Sequence, residues 1–349
     1  MKREELIDLF AQLGKVCDAL GNSKEWESFK IGVTSEEFEK LQYIVNRQFV
    51  FNGWFTKENV QRALIDWSNL LSSEKMNEWL SNYSFSENKK EVGVIMAGNI
   101  PLVGFHDFVS TVLSGNIAVC KLSSDDNTLL PALLETMVKW NPDFSSHFRL
   151  TAGKLGNIDA LIATGSNNSV QHFEQYFGHL PHIFRRNRTS VAILNGTETE
   201  DERKALGADI FTYYGLGCRN VSHLLLPENY NIDLFFTGIF EYHDIIYNKK
   251  YGNNYDYNKA IFLMNKFNLL DNNFLLLRET EDLHSPLAMV HHHVYKSKAD
   301  IEAYLKLHED SIQAIIGHDY LPFGSAQSPA WNDYADGVDT MEWLTNLSN

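Results

Sequence analysis

The sequence predicts an α/β protein, two lobes of parallel sheet preceded by a helical segment. Three observations predict it. Apolar residues recur at helical spacing near the N-terminus, strand-helix-strand patterns repeat from Glu91 onward, and 349 residues are long for one core but comfortable for two domains.

The opening MKREELIDLFAQLGKVCDAL puts Leu6, Leu9, Phe10, Leu13, Val16, Cys17 and Leu20 on one helical face. Acidic residues interrupt its apolar positions, which argues against a signal peptide. Residues 1 to about 85 continue as helices rich in Trp, Phe and Glu. EVGVIMAG then reads as a short strand ending in Gly. NIPLVGFHDFVSTVLSG follows as a helix, with Pro101 suited to its first position and Gly115 to its stop. NIAVCK completes a βαβ unit, which implies parallel pairing and a right-handed crossover. DALIATGSNNSVQHFEQYF is a strand, a turn and a helix whose N-terminal amides can hold an anion. SVAILNG is another strand. TEDERKALGADIFTYY begins with a Thr199–Glu202 capping box and runs as a helix into Gly215. VSHLLLP and LAMVHHHVY are strands, and SKADIEAYLKLH is a helix. The expected division is residues 1–188, helices plus a cofactor-binding domain, and residues 189–349, a catalytic domain with a C-terminal tail.

Charge excludes one class of partner. Thirty basic against 45 acidic residues give a net charge of −15, which repels a nucleic-acid backbone. Arg185, Arg186 and Arg188 in FRRNRTS form the one dense basic cluster, enough for a phosphorylated small molecule. No stretch approaches the roughly 18 unbroken apolar residues of a membrane span. Three cysteines without close pairs point to reduced thiols and a cytoplasmic protein.

Chemistry gathers at four places. Cys218 stands in YYGLGCRNVSHLLLP, between a glycine-lined turn and a buried strand. A cysteine that only fills core needs no such turn, whereas a nucleophile must stay open to substrate. Asn99 sits at a strand-to-helix junction, where Asn commonly caps a helix but its amide can also donate to an oxyanion. Lys121 ends the second strand, followed by Ser123 and Ser124, at the strand ends where ligands of open sheets gather. No GxGxxG follows either strand, and Gly165 with Ser166 opens the next helix instead. His291, His292 and His293 invite a metal, but adjacent strand residues point to opposite faces, so none is expected. His106 and His223 lie near the key motifs and read as structural.

GNIP, KLSS, ATGS and GLGC, in this order and at these separations, resemble the aldehyde dehydrogenase superfamily. MAGNIPLVGFHD, GLGCRNV, DLHSPL and FGSAQSPAWNDYADGVDTM look more closely like its LuxC-type acyl-CoA reductase branch, over roughly residues 90 to 341. The resemblance implies two Rossmann-like lobes, Cys218 as nucleophile and Asn99 as oxyanion donor. It implies Lys121, Gly165 and Ser166 around a nicotinamide cofactor, with Asp282 where the superfamily usually has a Glu contacting the nicotinamide ribose. The implied reaction is reduction of an acyl-CoA or other acyl thioester to the aldehyde. A homo-oligomer, or a complex with acyl-donor enzymes, is expected.

Two departures refine this expectation. Hydrolytic members carry a Glu about 34 residues before the Cys; Phe184 and Arg185 stand there, and no carboxylate occurs between Glu174 and Glu198. The base that activates water is missing, which suits a thioester that exchanges with a thiol. Members that prefer NAD have a Glu three residues after the strand-end Lys, and Ser124 takes that place, leaving room for the 2′-phosphate of NADPH rather than favouring NADH. Two other readings stay open: a cysteine-dependent acyltransferase or thioesterase without redox chemistry, and a catalytically silent partner subunit.

Overall fold

Hydroxyl caps start three of the N-terminal helices. In a computed structural model describing residues 1–27 and 31–347, Thr34, Thr56 and Ser72 accept from main-chain amides at the starts of Ser35–Phe51, Lys57–Leu70 and Ser73–Leu80. With Arg3–Gly21 these are helices α1 to α4. Residues 28–30 and 348–349, within the expected helical segment and tail, lie outside the described residues. The face read from the sequence of α1 is buried from Leu6 to Leu20. Its Phe10 meets Phe105, Phe108 and Phe144 edge-on, with centroids 5.9 to 6.4 Å apart.

The chain divides into two units, Met1–Arg186 with Ala330–Asn349, and Asn187–Pro329. The tail from Ala330, grouped with the second domain on sequence, therefore packs in the first unit. Trp331 stacks on Trp79 at 4.4 Å, and Asn116 donates to the carbonyl of Leu344 in the helix Thr340–Asn346.

The first unit holds a five-stranded parallel sheet. Its strands are β1 (Glu91–Ile95), β2 (Ile117–Lys121), β3 (Phe148–Thr151), β4 (Ala160–Thr164) and β5 (His182–Arg185), in the order β3-β2-β1-β4-β5. All four neighbouring pairs are parallel. Helix α5 (Phe105–Leu113) follows β1, α6 (Leu129–Trp140) follows β2 and α7 (Asn167–Phe177) follows β4.

One boundary differs from expectation. Helix α5 begins at Phe105 after Gly104, so Pro101 lies in a turn instead of the first helical position. Leu102 holds the turn in a left-handed conformation, φ 58°, which a carboxylate stabilises by accepting its N–H. Gly115, at φ 97°, ends the helix as expected.

The second unit holds a six-stranded sheet of β6 (Thr189–Ile193), β7 (Val221–Pro227), β8 (Leu270–Asp271), β9 (Leu276–Glu279), β10 (Met289–Tyr295) and β11 (Ile312–Ile316). Its order is β11-β6-β7-β10-β9-β8, parallel except for the short antiparallel edge β8. Helix α8 (Glu200–Phe211) carries the predicted capping box: the amide of Glu202 donates to Thr199 at 3.2 Å, and that of Thr199 to Glu202 at 2.7 Å. Helix α9 (Lys298–Leu307) joins β10 to β11. Among the described residues no helix is long and apolar enough to cross a membrane.

Candidate active site

The strand order of the first unit reverses between β1 and β4, and ligands of such sheets sit at the carboxyl ends beside that point. Five expected site residues share that edge: Asn99 after β1, Lys121 and Ser124 at the end of β2, and Gly165 and Ser166 after β4. All are exposed except the half-buried Gly165. Ser166 caps α7, accepting the amide of Ser169 at 3.2 Å, which leaves the first amides of that helix at the sheet edge.

Two buried side chains that the sequence reading did not single out clamp the loops after β1 and β2. Asn52, just past α2, donates to the carbonyls of Gly98 and Asp125, each at 3.4 Å. Asp126 accepts the amide of Leu102 at 2.8 Å, and burial pushes its carboxyl up to about 6 against that hydrogen bond. Gly98 lies so close that an added Cβ would stand 2.5 Å from Ser123 Oγ. Asn99 therefore projects from a tightly fixed loop. It is not the cap of α5, whose preceding residue is Gly104.

Cys218 lies in the second unit and is exposed, whereas Cys17 and Cys120 are buried; none forms a disulfide. Burial pushes the Cys17 thiol up to about 12 and that of Cys120 upward as well, so neither is a ready nucleophile. The turn before Cys218 is strained: Tyr213, Tyr214 and Gly215 are all left-handed, at φ 54°, 60° and 80°. Only the glycine adopts this without cost. Asn220 secures the turn from below, its amide donating to the carbonyls of Asp209, Ile210 and Thr212 while its oxygen accepts from Gly217 at 2.8 Å. Asp209, buried and pushed up to about 6, accepts the amides of Gly324 and Ala326, and Arg219 donates to the Ala326 carbonyl. The FGSAQSP loop is thereby tied to the cysteine turn.

Asp282 lies in the same unit, its side chain 71% exposed. Ser190 donates to the Cys218 carbonyl at 3.1 Å, Thr189 meets Ser222 at 2.6 Å, and Ser222 donates to the Leu283 carbonyl at 3.3 Å. The cysteine turn and the Asp282 loop thus meet at the amino ends of β6 and β7. His223 and His291, buried here, are structural in geometry, and burial holds His223 down near 3. Among the described residues no group of three or more His, Cys, Asp or Glu is arranged to hold a metal.

The arginine cluster is dispersed, which corrects its reading as a phosphate site. Arg185 is buried and grips Asp107 with two nitrogens, at 2.7 and 3.3 Å, while donating to Ala335 and Thr340. Arg186 pairs with Glu174 in the first unit, and Arg188 donates to Ile312 in the second. Burial of His106 lowers its pKa, and it hydrogen-bonds the Trp331 carbonyl, so it too is structural. Arg185→Ala strands a buried carboxylate and is expected to destabilise the first unit by about 3–5 kcal/mol. Removing Asp107 as well recovers part of that loss, because no uncompensated charge is left. Urea unfolding of both variants reads the difference; equal midpoints for wild type and Arg185→Ala would refute the bridge.

A parallel sheet with reversing strand order, joined in one chain to a second sheet that presents a cysteine on a strained turn, defines the aldehyde dehydrogenase fold class. The solved structures agree. An NAD-dependent aldehyde dehydrogenase from Sinorhizobium meliloti superposes with a TM-score of 0.65 at 12% identity, covering 90% of this chain and 70% of its own. Aldehyde dehydrogenase 21 from Physcomitrella patens gives 0.62 at 12%, over 91% and 74%. KauB from Pseudomonas aeruginosa, also an aldehyde dehydrogenase, gives 0.60 at 10%, over 90% and 76%. Likeness at this identity is a likeness of fold. No curated protein sequence matches the chain. The model of the acyl-CoA reductase (LuxC) family matches residues 1–229, and the chain belongs to that family.

Proposed function

We propose that this protein reduces an acyl-CoA, or another acyl thioester, to the aldehyde with NADPH through a thioester on Cys218. The observation that carries the reading is the exposed cysteine on a strained, glycine-containing turn in a chain of the acyl-CoA reductase family. Cys218 thiolate attacks the thioester carbonyl carbon, forming one C–S bond, and coenzyme A departs as the thiolate when the other breaks. On this reading the Asn99 amide donates to the oxyanion formed between these events. In the second step Cys218 is the leaving group.

The fit for a nicotinamide cofactor rests on the first unit: the exposed Lys121 and Ser124 at the end of β2, and the N-terminus of α7 at Ser166. Lys121 and Ser124 would hold the adenosine ribose, Gly165 and Ser166 the phosphates, and Asp282 the nicotinamide ribose. When bound, the nicotinamide supplies a hydride to the thioester carbonyl. A cytoplasmic setting is supported by three cysteines outside disulfides.

The test is oxidation of reduced nicotinamide against acyl-CoAs of increasing chain length, with the aldehyde identified. Thioester consumed without nicotinamide oxidation means an acyltransferase or thioesterase, and no turnover of any kind means a silent subunit. Ser124→Glu sets a carboxylate where the 2′-phosphate would lie. The ratio of kcat/KM for NADPH over NADH is expected to fall about 10- to 100-fold, and an unmoved ratio removes Ser124 from the ribose. NADH has one observation in its favour: Asp125, exposed directly after Ser124, is itself a carboxylate. A sharp rise of the same ratio in Asp125→Asn would give preference to NADH in the native protein.

A further inference from the structure

The loop from Thr280 to Ala288 joins two neighbouring parallel strands, β9 and β10, without a helix. It must run back across one sheet face, where its carbonyls leave water and need donors. The donors come from three elements. His223 on β7 and His291 on β10, paired across the sheet, approach the Asp282 carbonyl at 3.1 and 2.9 Å through Nδ1. Tyr304 on α9 donates to the Glu281 carbonyl at 3.2 Å. A carbonyl only accepts, so both Nδ1 atoms carry hydrogen. His223 Nε2 is then an acceptor, and His293 Nδ1 donates to it at 2.9 Å. The ring of Tyr304 lies against His223 and His293, with centroids at 5.0 and 4.3 Å.

This is more than a loop needs to be satisfied. One carbonyl takes two histidines, and it belongs to the residue whose own carboxylate is 71% exposed, with Arg278 at 3.8 Å. The backbone of Asp282 is fixed from behind while its side chain is left open. We infer that His223, His291 and Tyr304 are positioning residues that hold the Glu281–Asp282 main chain so that Asp282 meets the cofactor ribose. The inference rests on the proposed role of Asp282 in nicotinamide binding. It adds three residues that touch no ligand and act through the loop.

The experiment is NADPH binding to the full chain by fluorescence titration, alongside steady-state KM values for NADPH and for acyl-CoA. His223→Leu and His291→Leu each remove one donor and should weaken NADPH binding about 5- to 20-fold, with the acyl-CoA KM within about twofold. His223→Asn and His291→Asn keep an N–H near the Nδ1 position and should restore most of the affinity. Tyr304→Phe keeps the ring and loses one hydrogen bond, for an expected two- to fivefold loss. It decides the matter if a leucine variant does not fold. Variants that bind NADPH like wild type, or that lose both KM values in parallel, overturn the inference while leaving the function intact. Wild type that binds no nicotinamide nucleotide overturns the reading on which it rests.

Discussion

Cys218→Ala is expected to abolish aldehyde formation, lowering kcat/KM by about 10⁴-fold or more, in a protein that folds as before. The loss is large because no other thiol can take over. Cys17 and Cys120 are buried, and burial raises both thiols away from the thiolate form. Folding is expected to be spared because the hydrogen bonds that hold the turn run to its main chain. Ser190 donates to the main-chain carbonyl of Cys218, and Asn220 holds the backbone on either side. Cys218 is an exposed residue, so its truncation opens no buried cavity. Intact mass after incubation with acyl-CoA and no nicotinamide should show one acyl group on wild type and none on the variant. Cys17→Ala and Cys120→Ala should lose packing yet still acylate. An adduct on Cys218→Ala, or full activity without that sulfur, sinks the assignment.

The secondary structure around these residues was legible because periodicity is local. The apolar face of α1, the βαβ unit from Glu91 to Lys121 and the Thr199–Glu202 box all follow from neighbours within a turn or a strand. Strand ends were legible too, so Lys121, Gly165 and Ser166 could be set at a sheet edge before any geometry was known. What fixes those loops was not. Asn52 reaches Gly98 across 46 positions, and Asp126 reaches Leu102 across 24. Nothing in local composition chooses such partners. The same holds for Arg185, read as part of a basic cluster from its neighbours Arg186 and Arg188. Its partner Asp107 lies 78 residues away, and only the fold shows that the cluster is three unrelated contacts. The start of α5 was misplaced for a related reason. Pro101 favours a first helical turn, but Leu102 is drawn into a left-handed turn by a carboxylate that the local pattern does not contain.

The thioacyl enzyme is expected to resist water and yield to thiols, with release by coenzyme A faster than hydrolysis by about 10³-fold. General-base assistance to an attacking water is worth roughly 10²–10⁴, and that assistance needs an acceptor beside the thioester. From Gln175 to Thr197 the chain offers no carboxylate. Phe184 and Arg185 stand where the resemblance places the Glu of hydrolytic members, and neither side chain can accept a proton near neutral pH. The Arg185 guanidinium is also committed to Asp107, Thr340 and the Ala335 carbonyl, so it neither activates water nor attracts coenzyme A phosphates. A thiol needs no such base. Near neutral pH a few per cent of it is already thiolate, and sulfur attacks a thioester readily. On the proposed mechanism, the same imbalance would protect the acyl group until hydride transfer. The measurement acylates wild type without nicotinamide and follows the adduct by mass spectrometry, with and without free coenzyme A. An adduct stable for many turnover times in buffer and lost on adding coenzyme A fits a reductase. Rapid loss to water, at a rate coenzyme A does not raise, means that another residue activates water and that the protein is built to hydrolyse its thioester.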